Sequence, residues 1–245
     1  FCYITKGEFM KIKNPISRLT GFEKTLWIVS VSVVLLSFIL GSDRAPLPLA
    51  ASLIGVTGLI FIARGDVLGQ VLTVVFSLIY GVISIQNRYY GEMMTYVFMS
   101  APMAIMAIVS WVKNPYRKNQ VRIAELSGKQ IGLMSLLAVV VTAAFYFILE
   151  YFNTANIVPS TISVTTSFVA CYLTFCRSPY YALGYAANDV VLIVLWILAS
   201  VKDPSCIPMI ACFVMFLAND LYGFFNWRKM MKAQRKDTLS EETVS

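Results

Sequence analysis

Apolar residues in this chain gather into long runs separated by short polar breaks: Ser42-Asp43-Arg44, Arg64-Gly65-Asp66, Gln86 to Gly91, Arg177-Ser178-Pro179 and Lys202-Asp203-Pro204. Runs of roughly 20 apolar residues suit helices that cross a hydrocarbon core of about 30 Å, whereas barrel strands would be about 10 residues long and strictly alternating. The pattern predicts an all-α, polytopic membrane protein with eight transmembrane helices, over residues 24–41, 47–63, 66–86, 92–112, 131–152, 159–176, 180–201 and 206–227. Pro102 lies inside the fourth run, removes a helical hydrogen bond and predicts a kink there. The longest polar stretch, Lys113 to Lys129, is too short to fold alone. Residues 1–23 lack an apolar core beside a small-residue cleavage site, so they read as an amphipathic lead-in broken at Pro15 and not as a signal peptide.

Composition agrees: the 245 residues are 58% hydrophobic and 13% charged, against about 25% charged in soluble domains. Eight spans put both termini on one side. Seventeen of the twenty lysines and arginines fall on that side, and Arg44, Arg88 and Lys202 on the other. The positive-inside rule makes the first side cytoplasmic. The net charge of +7 is thus a topology signal and a headgroup contact, and nucleic acid is not an expected partner. The five cysteines, mostly in or beside apolar runs, read as reduced packing residues. Histidine is absent, which excludes imidazole proton relays and His-ligated metal. No metal and no cofactor is expected.

Spans two to four and six to eight look alike. SLIGVT (52–57) opens the first triplet and STISVT (160–165) the second, while SWVK (110–113) and NWRK (226–229) close them. Each triplet starts outside and ends inside, so the two are parallel and span five restores the orientation. The expected plan is an N-terminal segment 1–23, an extra helix 24–41, a first three-helix repeat 47–113, a basic loop with an inversion helix 114–152, a second repeat 159–229 and a tail 230–245. Parallel repeats of this kind are a transporter architecture with the substrate site between them.

Candidate chemistry sits on polar stripes. Span three carries Gln70, Thr73, Ser77, Tyr80 and Ser84 on one helical face. Span seven carries Tyr181, Tyr185, Asn188, Leu192 and Trp196, and span eight Phe216, Asn219 or Asp220, Gly223 and Trp227. Small hydroxylated residues also serve close helix packing, and Trp27, Trp111 and Trp227 near helix ends read as interface anchors. The pairs Asn188–Asp189 and Asn219–Asp220 are different: polar groups at membrane depth belong to a buried network or a wet cavity, and the cavity is the expectation. Asp189, about 100° around the helix from Asn188, is read as facing a helix interface. Glu92, in the first turn of span four, reads as a dipole or cap partner, and with Asp189 as a candidate coupling or network group. Aromatic faces beside amide, carboxyl and phenol groups suit a small, neutral or cationic, partly aromatic solute; an anion would want Arg or Lys at depth.

YGVISIQNRYYGEMM (80–94), AANDVVLIVLW (186–196) and NDLYGFFNW (219–227) together resemble the PnuC family of vitamin-precursor transporters, over roughly residues 22 to 230. The resemblance implies a bacterial inner-membrane uniporter for nicotinamide riboside or a similar nucleoside-like vitamin. It further implies trapping by a cytoplasmic kinase, a 3+1+3 bundle similar to SWEET sugar carriers, and a homotrimer. By position, Asn188, Gln86, Tyr90, Asp220, Tyr222, Gly223 and Trp227 match the family's motifs. The expected substrate residues are Asn188, Asp220, Asn219, Tyr181, Tyr185, Trp196, Tyr80, Gln86, Ser77 and Tyr222. Where nicotinamide riboside carriers often have Trp ahead of the span-seven Asn, this chain has Tyr180, Tyr181, Gly184 and Tyr185, which leaves thiamine, riboflavin and deoxynucleosides open as solutes.

Two other functions fit parts of the pattern. Asp189 or Asp220 suits proton-coupled transport, because a carboxyl in a low-dielectric site holds its proton more tightly. Two intramembrane aspartates also suggest a protease dyad, but the YD and GxGD settings of that chemistry are missing. A non-enzyme is expected. No GxxxxGK[ST] loop is present, which excludes a nucleotide-driven pump.

Overall fold

The computed structural model describes residues 15–40, 46–86, 90–117, 120–154, 156–201 and 207–242. Among them are eight helices long and apolar enough to cross a membrane: α1 Gly21–Leu40, α2 Pro46–Ala63, α3 Val67–Gln86, α4 Tyr90–Lys113, α5 Gly128–Tyr151, α6 Ile157–Phe175, α7 Tyr181–Ser200 and α8 Ile207–Glu242. A short hairpin, β1 Pro115–Arg117 with β2 Gln120–Val121, follows α4. The helices fall where the apolar runs predict them, with two differences of substance.

The first is at Pro102. Ahead of it, Thr95–Ser100 widens into a π-helix in which Ala101 N–H donates to Tyr96 O, five residues back. A proline leaves the carbonyl one turn behind it without a donor, and a wide turn just before it absorbs the mismatch without ending the helix. The second is the C-terminal end. α8 has 36 residues, about 54 Å at 1.5 Å per residue, far longer than a bilayer core. What reads as a tail from residue 230 is the same helix carried past the membrane. There Gln234 Nε2 donates to Val121 O (3.1 Å), Ile123 N donates to Gln234 Oε1 (2.9 Å) and Tyr116 bonds Asp237. The projecting helix thereby holds the hairpin loop.

Two triplets, α2–α3–α4 and α6–α7–α8, grip each other by exchanged bonds. Trp111 Nε1 at the end of α4 donates to Thr174 O near the end of α6 (3.0 Å), and Trp227 Nε1 of α8 donates to Ile62 O near the end of α2 (2.9 Å). The preceding residues repeat the exchange: Ser110 Oγ to Phe175 O (2.8 Å) and Asn226 Nδ2 to Ala63 O (2.9 Å). Trp111 and Trp227 are 1% and 0% exposed, so they are pins between the triplets and not the interface anchors expected from their position.

The turns after α2 and α6 also match. Gly65 (φ 71°) and Arg177 (φ 59°) take the left-handed conformation. Their N–H groups bond Ile62 O and Thr174 O, and the next N–H groups bond Phe61 O and Leu173 O, a Schellman-type stop in each case. The following helices start alike, with Leu68 N on Asp66 Oδ1 and Tyr180 N on Ser178 Oγ. This register sets Ile62 opposite Thr174, so Ser52 corresponds to Val164, one turn from the pairing of SLIGVT with STISVT. One segment crosses both turns: Val121 N donates to Gly65 O (3.0 Å) and Ala124 N to Arg177 O (3.1 Å).

The extra helix α1 is fastened by polar groups. Thr20 and Glu23 form its capping box. Glu23, 2% exposed, also pairs with Arg64 (2.8 Å) and accepts from Tyr222 OH (3.0 Å). Arg18 reaches Asp66 (3.1 Å), and Trp27 Nε1 donates to Thr57 Oγ1 (3.0 Å). Helix α5 lies outside the bundle with Leu149 as its buried residue, joined to α6 by Thr142 and Thr165 hydroxyls 2.7 Å apart.

Candidate functional site

Between the triplets lies a cavity of about 60 Å³, lined from both. The first triplet contributes Gly55, Thr73, Phe76, Ser77, Tyr96 and Ser100; the second Ser167, Tyr185, Asn188, Asp189, Phe213, Phe216 and Asp220. In the register set by the turns, Gly55 stands opposite Ser167, Thr73 opposite Tyr185, Phe76 opposite Asn188 and Ser77 opposite Asp189. Positions matched by that register thus form the two walls, one more apolar and one more polar.

On the polar wall, Asn188 Oδ1 accepts from Ser163 Oγ and Thr166 Oγ1, both at 3.0 Å. Oδ1 is committed to α6, so the donor end of the amide is the part that remains for a solute. Asp189 and Asp220 line the cavity together, close enough for each to feel the other's charge, and no donor among the described residues reaches Asp189 Oδ2. Carboxylates only accept, so a hydrogen bond between the two would require a proton. Asp189 lines this cavity with Asn188 and meets Asp220 of α8 across it. The Tyr185 hydroxyl lies 3.3 Å from Cys171 Sγ. On the apolar wall, Phe76 meets Tyr96 and Phe216 edge-on, each at 5.8 Å between centroids. Ser77 is fully buried and its Oγ has no hydrogen-bond partner among the described residues.

Of the expected site residues, Asn188, Asp189, Asp220, Tyr185 and Ser77 come together here. Others are elsewhere. Asn219 turns to α1, donating to Ser30 Oγ (2.9 Å) and Met215 O (2.7 Å), so of the two acid–amide doublets only the first faces the cavity whole. Tyr222 serves Glu23. Tyr80 packs on Phe76 and Tyr96, at 5.4 and 4.5 Å. Tyr181, 1% exposed, meets the Trp227 ring at 4.7 Å, below the cavity toward the termini-bearing face. Trp196 and Glu92 line a different cavity nearer the opposite face. The Gln86 side chain lies outside the described residues. Phe76, Tyr96, Ser100 and Phe213 were missed; the internal repeat read in the register of the two turns would have pointed to Phe76 through Asn188.

A closed, tryptophan-pinned end, a small, largely apolar cavity with a few placed polar groups between two like triplets, and a bundle of membrane-length helices suit a carrier of small solutes. Residues 45–229 match the model of the nicotinamide mononucleotide transporter family, and the chain belongs to that family. It is similar to the nicotinamide riboside transporter PnuC of Neisseria mucosa (strain ATCC 25996 / DSM 4631 / NCTC 10774 / M26), 24% identical over 220 residues that cover 87% of this chain and 83% of the relative. A crystal structure of the vitamin B3 transporter PnuC shares the fold, with TM-score 0.77, 23% identity and coverage of 88% of this chain and 94% of that one. These matches bear out the PnuC resemblance of the three motifs.

Proposed function

We propose that the protein carries nicotinamide riboside across a bacterial inner membrane by facilitated diffusion, with the termini-bearing face in the cytoplasm and a cytoplasmic kinase trapping the solute. The observation that carries this is the cavity shared by the triplets. The Asn188 amide and the Asp189–Asp220 pair suit ribose hydroxyls and a carboxamide, and Tyr185, Tyr96 and Phe216 suit the ring. None of the described residues lining the cavity is Arg or Lys, which favours a riboside over its phosphorylated mononucleotide, because a phosphate calls for cationic donors. A volume near 60 Å³ is well below the ~300–1,000 Å³ of small-molecule sites, so binding parts the walls, with the two triplets as the moving units. The 3+1+3 halves and a trimeric assembly belong to the same proposal. Labelled nicotinamide riboside is expected to enter proteoliposomes containing only this protein; absence of entry, with thiamine and nucleosides also excluded, would overturn the proposal.

The Asp189–Asp220 contact favours one alternative, proton coupling. An imposed proton gradient in the same proteoliposomes distinguishes them: uptake that stops at equal concentrations with or without the gradient is uniport, and accumulation above that level, lost with a protonophore, is coupling.

A further inference from the structure

A second cavity, of about 210 Å³, opens toward the face opposite the termini. It is lined by Glu92 on α4, Asn153, Thr154 and Asn156 in the α5–α6 turn, and Ser160 and Trp196. It sits directly over the central one. Glu92 lies one turn before Tyr96, and Leu192, which lines the upper cavity, one turn after Asn188. Tyr96 is within electrostatic reach of both Glu92 and Asp189.

The Glu92 Oε2 atom is buried with no hydrogen-bond partner among the described residues, and none of the described lining residues is basic. A carboxyl oxygen left so is costly unless something brings it a charge or a donor. Indole is the strongest of the aromatic platforms for a cation. Carboxylate, indole face, and amide and hydroxyl groups from the turn together describe a complement to a flat, positively charged ring.

We propose that this vestibule is a capture site, separate from the central cavity, for planar heteroaromatic cations, with Glu92 opposite the ring charge and Trp196 against its face. The proposal rests on the transport function above and narrows its solutes. Nicotinamide riboside is a pyridinium and thiamine a thiazolium, whereas riboflavin and deoxynucleosides carry no ring cation. Selection by charge then happens before the solute meets Asn188.

The test uses two pairs that differ in ring charge: nicotinamide riboside against its neutral dihydropyridine form, and 1-methylnicotinamide, methylated on the ring nitrogen, against nicotinamide, the latter pair lacking ribose. Each competes with labelled nicotinamide riboside uptake into proteoliposomes. Wild type is expected to prefer the cation of each pair by about tenfold. Glu92→Gln should collapse that preference by weakening the cation of each pair, and Trp196→Leu should weaken the cations. Undiminished preference in Glu92→Gln overturns the proposal. Equal competition by 1-methylnicotinamide and nicotinamide in wild type overturns it too, with no variant needed. A wild type that takes up no nicotinamide riboside refutes the transport function instead; the same pairs compared by thermal stabilisation then still decide the site.

Discussion

Trp111 and Trp227 meet with ring centroids 5.4 Å apart at 50°, each donating its N–H to a carbonyl at the end of the other triplet's first helix. The pair sits where the two halves are equivalent, and Tyr181 closes over it. Trp227→Phe keeps most of the ring but removes the indole donor and leaves the Ile62 carbonyl to the Gly65 N–H, the loss of one hydrogen bond, at a cost of about 0.5–1.5 kcal/mol. A lower thermal midpoint is expected, with a matching loss in Trp111→Phe. The double variant should lose less than the sum of the two, because adjacent sites do not add.

Asn188 and Asn219 occupy like motifs and do different things. Asn188→Ala removes the cavity's amide and should weaken nicotinamide riboside binding by about tenfold or more, measured by titration of the purified protein. Asn219→Ala cuts the tie to Ser30 and should lower stability with affinity unchanged. An equal loss of affinity in both would show that the doublets act alike.

Gly55 faces the cavity, and a Cβ built there would lie 2.5 Å from the Phe216 ring tip and 3.3 Å from Phe76. Gly55→Ala asks only that a ring end turn aside. Gly55→Leu fills the space between the walls, so uptake should vanish while the protein still reaches the membrane and melts cooperatively.

Glu23 joins α1 to Arg64 and Tyr222 inside the bundle. Glu23→Ala takes the carboxylate from a largely buried guanidinium and leaves it to the Arg18 carbonyl, and losing a hydrogen bond between charged groups costs about 1.5–3 kcal/mol. Tyr222→Phe, which removes one hydrogen bond, should cost about 1 kcal/mol. A thermal melt of each variant in detergent checks the order; a Tyr222→Phe loss as large as that of Glu23→Ala would contradict it.

The spans were legible because the bilayer imposes length and composition together, and nothing in the interior of a soluble fold mimics both. The site was half legible. Asn188 and Asp220 stand out because polarity at depth is costly, but the same argument selects Asn219, whose polar partner, Ser30, is on a helix nearly two hundred residues earlier in the chain. Helical periodicity resolves which face a residue takes and not which neighbour that face meets, so Trp196 and Tyr181 read as companions of Asn188 when they lie above and below it. Phe76 escaped because a phenylalanine among membrane residues carries no signal until its partner in the repeat is known.

The segment that bonds Gly65 and Arg177 in turn is a single crossbar over a two-fold doorway, and no such tie spans the opposite mouth among the described residues. Parting the halves at the termini-bearing end therefore means breaking that bar first. The tie acts as a latch: it weights the resting protein toward the arrangement in which this door is shut.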